Sequence, residues 1–468
     1  MNRTKPVREE PQGSVLIVVL CLLFIVVGLV ITILDVASDH RQIAARQLKL
    51  DQAMYIAESG VEVAARFMES NLTVMVNSST GATNGSGSVG SGSYSYYIYR
   101  TNTSTYCIIS TGTVSGVSNG NGVSNSVTRV VSLLDVYQPT YAQFALWSSN
   151  NAAIYFVTGD VFHGAVYSGT ELYFDGDPAF YAPLASNYGT YSGSISGVYL
   201  ADGLALNSYQ GTMADVNFNS GSSSLKSIAT SSGLEVSGTA TLTFNGGTVT
   251  VQTSSGTQTY TIPASGGIIY VANGTNSSSG GSGGYGGYGG YGGYGGYGGY
   301  GGSGSSGSSS PGTIYLEGGT VTGPLTVVSE ASMYIENNIT YTHNPVNNPT
   351  TTDALGLISQ DNIWVDTGAP ANLTIDASMI AAGTSGDGSA GSFGVVNYST
   401  MTPTGTLTVY GGIVQLTRGA VGTVNGSGTI STGYVKNYSY DSRFLTKPPP
   451  DYPVISGKVN FSQWQEGH

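Results

Sequence analysis

Twenty consecutive residues, Val15 to Leu34, carry no charge: VLIVVLCLLFIVVGLVITIL. Coiled as helix, such a run matches a hydrocarbon layer about 30 Å thick. At a few tenths of a kcal/mol per aliphatic residue, its insertion is favourable by about 5 to 10 kcal/mol. A chain carrying it is expected at a membrane. Arg3, Lys5 and Arg8 precede the run and a long acidic, polar stretch follows. The positive-inside tendency therefore predicts a cytoplasmic N-terminus and an exported body. No A-x-A-like cleavage site stands near Leu34–Ser38, so simple secretion with loss of the helix is disfavoured.

Beyond the run the helical pattern continues. Ile43, Leu50, Met54, Ala57, Val61, Ala64 and Met68 fall on one stripe, with Arg41, Arg46, Lys49, Glu62 and Glu69 elsewhere. Proline is absent from Gly13 to Ser70. A continuous helix from Ser14 to Met68 would reach about 80 Å, half of it embedded and half an amphipathic stalk.

The short basic leader ending in Gln12-Gly13, followed by Ser14-Val-Leu-Ile-Val and a long helix, resembles a class III prepilin signal, and most nearly the N-terminus of PilX-type minor pilins. The segment Gln52-Ala-Met-Tyr-Ile-Ala57-Glu58-Ser59-Gly60 resembles that family's Ala-Glu-Ala-Gly-like helix motif. The likeness covers roughly residues 9 to 70. It implies a bacterial host and removal of the leader between Gly13 and Ser14 by a prepilin peptidase. The helix would then lie in the inner membrane, with the body periplasmic or carried to the cell surface, and other pilins or pseudopilins would contact the helix. One departure matters: major pilins carry Glu at the fifth mature position, where this chain has Val18. Without that carboxylate the resemblance implies a tip-located or minor component rather than a repeating shaft subunit.

The rest of the chain has a different composition. Of the 15 basic and 27 acidic residues, 8 of each lie within residues 1–100, so the remaining 7 and 19 place the whole net charge of −12 after residue 100. Such a surface does not suit a phosphate backbone, and nucleic acid is excluded as a partner. The 69 glycines, with short β-branched and aromatic runs between Gly, Asn and Ser clusters, predict turn-rich, mainly β structure. Tyr94–Tyr99 and Val127–Leu134 read as strands of a small head on the stalk, with 71–92 and 115–126 as loops.

An irregular repeat follows. Ile154-Tyr155…Gly159, Ile269-Tyr270…Gly274 and Ile314-Tyr315…Gly319 each read as a strand entering a glycine turn. Reuse of strand and turn, with few charges and many glycine corners, favours a β-solenoid, specifically a right-handed β-helix, in which stacked coils pair one another's edges. The same punctuation also permits a β-sandwich or jelly roll. From Tyr141 onward the body also resembles the poorly characterised β-rich passengers of PilX-like helices. Residues 275–310 are low-complexity, with tyrosine at every third position from Tyr285 to Tyr300. They read as a tongue between two strands, either a passive linker or an adhesive surface.

The expected organisation is a leader at 1–13, helix at 14–70 and a small head at 71–140. β-helix-like parts at 141–274 and 311–433 then flank the insert at 275–310, and a proline-containing strap at 434–468 closes the chain. No chemistry is signalled. Cys21 and Cys107 are far apart, and the histidines at 40, 163, 343 and 468 lack metal spacing. Asp175, Asp177, Glu171, Asp361, Asp366 and Asp376 form no recognisable pair beside a cation. The expectation is therefore a non-catalytic protein without cofactor or metal, a minor pilin-like subunit displaying its body for assembly or adhesion. The alternative is a static membrane anchor holding a β domain that binds or cleaves carbohydrate, and any surface or carbohydrate ligand is left open.

Overall fold

The computed structural model describes residues 13–70, 82–101, 105–115, 126–137, 139–187, 224–274, 310–384, 391–402, 405–426, 428–455 and 459–467, with short pieces at 118–119, 123–124, 191–193, 198–200 and 206–208. The chain is mainly β, with one long helix, Gly13–Ser70, of 58 residues. The leader and the tyrosine-rich insert lie outside the described residues, apart from Gly13 and Ser310.

The C-terminal half of the helix rests on an antiparallel sheet whose strands run Ala82–Val89, Gly92–Arg100, Tyr106–Val114, Val127–Val136 and Gln463–Gly467 in spatial order. Two of these differ from expectation. Ala82–Val89 lies within the region read as loop, yet it pairs residue for residue with Gly92–Tyr99 across a tight turn at Gly90. Its Ala-Thr-Asn-Gly-Ser-Gly-Ser composition hides it, because an edge strand needs only its backbone to pair. The opposite edge is supplied by the last strand of the chain, Gln463–Gly467, which lies antiparallel to Val127–Val136.

From Phe144 onward each pass of the chain contributes strands to parallel ladders. In the first ladder Leu234–Ser237, Gly267–Ala272, Pro324–Ser329 and Ala354–Ser359 pair in turn. The far halves of Leu373–Ala381 and Gly405–Thr417 continue it. A second ladder holds Ala240–Gly246, Ile314–Val321, Met333–Ile335, Ile363–Val365 and Phe393–Val395. The third runs through Ile339–Tyr341, the near halves of Leu373–Ala381 and Gly405–Thr417, and Ile430–Tyr440. Strands on both sides of the 275–310 insert thus belong to the same ladders. Leu242, Leu316, Val327, Leu357, Ile375 and Val409 fill the space between the ladders, each fully buried aliphatic contributing about 1.5 to 3 kcal/mol.

The first ladder is buried on both faces, which explains its unbroken apolar text: GIIYVA, PLTVVS and ALGLIS have every residue buried. Its outer layer, including Ile268, Tyr270, Val328 and Ile358, is covered by the short helix Leu225–Ser232 and by the C-terminal segment. Ser224 caps that helix, accepting a hydrogen bond from the Ser227 amide at 3.1 Å. At one end of the stack, Ala240–Gly246 continues into the antiparallel strands Thr248–Thr253 and Gly256–Thr261. The last of these is polar and exposed, which blunts the edge.

The order of passes in space is not their order in sequence. Phe144–Asn150 pairs on one side with Ala165–Ser168 and on the other with Gly405–Thr417, and Val161–His163 pairs with Ile430–Tyr440. The chain therefore enters the stack in its middle, and its final pass seals against its first.

The strap begins later than expected. Tyr434–Tyr440 belongs to the strand Ile430–Tyr440, and the irregular segment starts at Asp441. The prolines that argue against a strand all lie at Pro448 and beyond, and averaging them over the whole ending moved the boundary too early. The strap runs along the outer face of the first ladder: Thr326 donates to the Pro450 carbonyl, Ser378 Oγ donates to Tyr452 Oη at 2.8 Å, and the Tyr141 amide donates to Pro453 O at 3.2 Å.

Candidate functional site

The helix divides at its middle into two environments. From Val15 to Leu34 its aliphatic side chains stand exposed, Leu16 at 74% and Ile33 at 60%, with nothing packed against the most apolar window. It is the one helix among the described residues long and apolar enough to cross a membrane. From Ala53 to Met68 the opposite holds: Ala57, Val61, Ala64 and Met68 are buried against Tyr96, Ile98, Ile108, Val131 and Leu133 of the small sheet, and Ala53 and Ile56 against Val114.

That contact depends on two missing side chains. A Cβ on Gly112 would stand 2.1 Å from the Ala53 carbonyl oxygen and 2.5 Å from the Ala57 nitrogen, so the strand touches helix backbone. A Cβ on Gly60 would meet Ser110 Oγ at 2.2 Å and the Tyr94 ring at 2.9 Å. The segment Ala57-Glu58-Ser59-Gly60 is thus split by face. Ala57 and Gly60 are seated on the sheet, while Glu58 and Ser59 are half-buried at its margin, with Ser59 Oγ donating to Tyr55 O at 2.8 Å. Gly13 and Ser14 open the described helix, and Val18 lies on its exposed apolar part, 57% accessible. Gly112 was missed in sequence, since nothing local distinguishes it from other strand glycines.

The three Ile-Tyr copies do not stack on one another. Ile314-Tyr315 begins a strand of the second ladder, whereas Ile269-Tyr270 lies in the first ladder and is fully buried. Ile154 immediately precedes Tyr155–Val157, which sits in a separate three-stranded parallel sheet. The first and third copies do share a local geometry. Tyr155 is paired with Tyr173 and Tyr315 with Tyr334, their ring centroids 5.6 and 5.2 Å apart. Gly159 and Gly319 both take positive φ, +89° and +113°, but only Gly159 turns the chain, since Gly319 lies within Ile314–Val321 and pairs with Ile339, so the expected glycine turn of the third copy is absent; Gly274 bridges to Ser310. In the second copy Tyr270 instead donates to Glu330 at 2.9 Å, within a group that includes Lys226 at 3.2 Å from the same carboxylate.

Sequence reasoning also missed the buried ions at the seam between first and last passes. Asp160, fully buried, accepts from the Val157 amide at 3.0 Å, from the Lys436 amide at 3.2 Å and from Lys436 Nζ at 2.5 Å. Burial pushes the Lys436 ammonium below its usual range, with Asp160 opposing that shift. Arg418 reaches across the same seam: Nη1 donates to Asn151 Oδ1 and to Ile154 O, each at 2.9 Å, and the guanidinium lies 3.8 Å over the Phe156 ring. Desolvation lowers it to about 10, again opposed by Asp160. The turn it clamps holds Ala152 and Ala153 at positive φ, 49° and 52°.

The acids considered in sequence are dispersed. Asp376 is buried, accepts from the Tyr341 amide at 2.9 Å and is pushed up to about 6 by burial. Asp366 accepts from the Gly368 amide at 3.4 Å in a turn, and Asp361 donates its backbone amide to Ser359 Oγ at 3.1 Å. Among the described residues no three His, Cys, Asp or Glu side chains gather as a metal ion would require.

The arrangement defines a mainly β protein carried on one N-terminal helix that is long and apolar enough to span a membrane. No family model matches the chain, and no curated protein matches it. Among solved structures, the competence-associated pilin ComZ from Thermus thermophilus is matched at 10% identity, over 90% of this chain and 98% of that one, with a TM-score of 0.33, too slight a likeness to support a fold or a function.

Proposed function

We propose that this chain is a non-catalytic, pilin-like subunit whose helix enters the inner membrane and then a pilus or pseudopilus, displaying the β body for assembly or adhesion. The observation that carries the reading is the two-part helix: an exposed apolar half continuing without a break into a half seated on a small antiparallel sheet. An anchor alone needs only the first half. The basic leader and the Gly13–Ser14 junction give a prepilin peptidase its substrate, and Val18 in place of a carboxylate suits a minor or tip position. In this reading the N-terminus is cytoplasmic, neighbouring pilins pack on the helix, and the parallel ladders form a β-helix that the strap closes.

The test is the N-terminal mass of membrane-extracted protein expressed with and without a prepilin peptidase. A new terminus at Ser14 is expected. A leader that stays attached under co-expression would reduce the helix to a static anchor, and the pilus reading would be dropped.

A further inference from the structure

A cleft with a volume of about 750 Å³ lies where head, body and strap meet. That is within the range of small-molecule sites, about 300 to 1,000 Å³. Arg100 enters it from the end of a head strand, and Arg443 and Lys447 enter from the strap. No Asp or Glu among the described residues lines it, although the chain after residue 100 carries 19 acidic residues against 7 basic ones. Three of the few cations outside the helix thus converge on one cleft whose described lining holds no carboxylate.

The cations differ in what holds them. Arg443 is fixed by a bidentate ion pair with Asp441 and by the carbonyls of Thr351 at 2.7 Å and Asp353 at 2.8 Å, so it forms a rigid wall whose charge Asp441 balances, leaving Arg100 and Lys447 to meet an anion. Lys447 is exposed, with no hydrogen-bond or ion-pair partner for its ammonium among the described residues. Behind Arg100 stands Asp451, which burial raises above the usual carboxylate range while Arg100 pulls it down. Hydroxyls fill the remaining polar lining, among them Ser265, Thr352 and Thr446, and such groups both donate and accept. Pro324, Pro349 and Pro448 supply rigid apolar walls.

We propose that this cleft binds an acidic saccharide, a uronate-bearing segment whose carboxylate sits between Arg100 and Lys447 and whose hydroxyls meet the Ser and Thr side chains. Fixed guanidinium and free ammonium groups suit a carboxylate. The described lining has no aromatic platform on which a nucleobase could stack. Arg100 ends an inner strand of its sheet and no described edge strand lines the cleft, so an extended peptide finds no strand to join.

The test is calorimetric titration of the full-length protein in detergent with trigalacturonate. A neutral galactose trisaccharide, a Glu-rich peptide and inorganic phosphate serve as comparators. Binding of trigalacturonate alone is expected, weakened about tenfold by Lys447→Glu, by Arg100→Gln, or by raising salt to about 0.5 M. Equal binding of the neutral sugar, the peptide or phosphate overturns the assignment to an acidic saccharide. Absence of binding, or binding indifferent to both substitutions, overturns the site itself. Neither leader cleavage nor filament assembly enters this measurement, so its failure leaves the proposed function standing.

Discussion

Asp160 and Lys436, 276 positions apart in sequence, share a buried ion pair at 2.5 Å, and that contact joins the first pass of the body to the last. The ladder hydrogen bonds at this seam are interchangeable between registers, whereas a carboxylate that also accepts two backbone amides fits one register only. A buried pair of this kind specifies an arrangement more surely than it adds stability. Asp160→Ala leaves Lys436 buried and uncompensated and is expected to cost about 3 to 5 kcal/mol. The double change Asp160→Ala with Lys436→Met should recover most of that loss. Thermal denaturation of the three forms checks it, and an equally unstable double variant would contradict the pairing.

Glycine 112 makes a second prediction, in the head. Gly112→Val drives a side chain into the helix backbone at Ala53 and Ala57, and overpacking of this kind costs about 1 to 3 kcal/mol or more. Limited proteolysis should then cut within the helix stalk while the ladders of the body stay protected. Protection unchanged from the parent would mean that helix and sheet do not touch there.

Asp376 predicts a pH dependence with a definite sign. Its carboxyl is ordinary when unfolded and raised to about 6 when folded, so the folded state binds more protons between about pH 4 and 6. Its contribution is therefore complete below about pH 4 and is lost as pH rises through 6, to a limit of about 3 kcal/mol. Tyr341, Asp441 and Arg443 are the titratable and charged groups acting on it. Asp376→Asn, which keeps an acceptor for the Tyr341 amide, should match the parent near pH 4 and exceed it in stability at pH 7. Denaturant titrations at both pH values give the comparison, and parallel curves would refute the shift.

The last strand gives a fourth prediction. Truncation after Ser462 removes Gln463–Gly467 and bares the edge of Val127–Val136. An unpaired edge of that length invites pairing with another chain, so concentration-dependent association of the truncated protein is expected in light scattering. A strictly unchanged size distribution would show the edge to be harmless.

Much of this architecture can be read directly from residue text, and the limits are instructive. The run Val15–Leu34 announces itself because burial in lipid demands contiguity. Gly267–Ala272 and Ala354–Ser359 announce themselves because both faces of the first ladder are covered. Ala82–Val89 does not, since a strand paired through backbone alone leaves no trace in side chains. The Ile-Tyr repeat falls at strands, but the strand begun at Ile314 runs on through Gly319 to Val321, and the repeat cannot say which ladder each copy joins: Tyr270 is buried while Tyr155 is 41% exposed. The seam is the least legible feature. Parallel partners such as Val414 and Trp147 carry no spacing rule, and Asp160, Arg418 and Lys436 look like ordinary surface charges until the passes are stacked.

Because Gln463–Gly467 completes the sheet that seats the helix, a part of the chain made early is among the last to be finished. During synthesis, Val127–Val136 must wait for more than three hundred further residues before its second neighbour arrives. Pairings of such long sequence separation form slowly. Until the body has closed and Gln463–Gly467 has docked, the head edge at Val127–Val136 remains open, so a sheet at the base of the stalk registers whether the distant segment has folded into place.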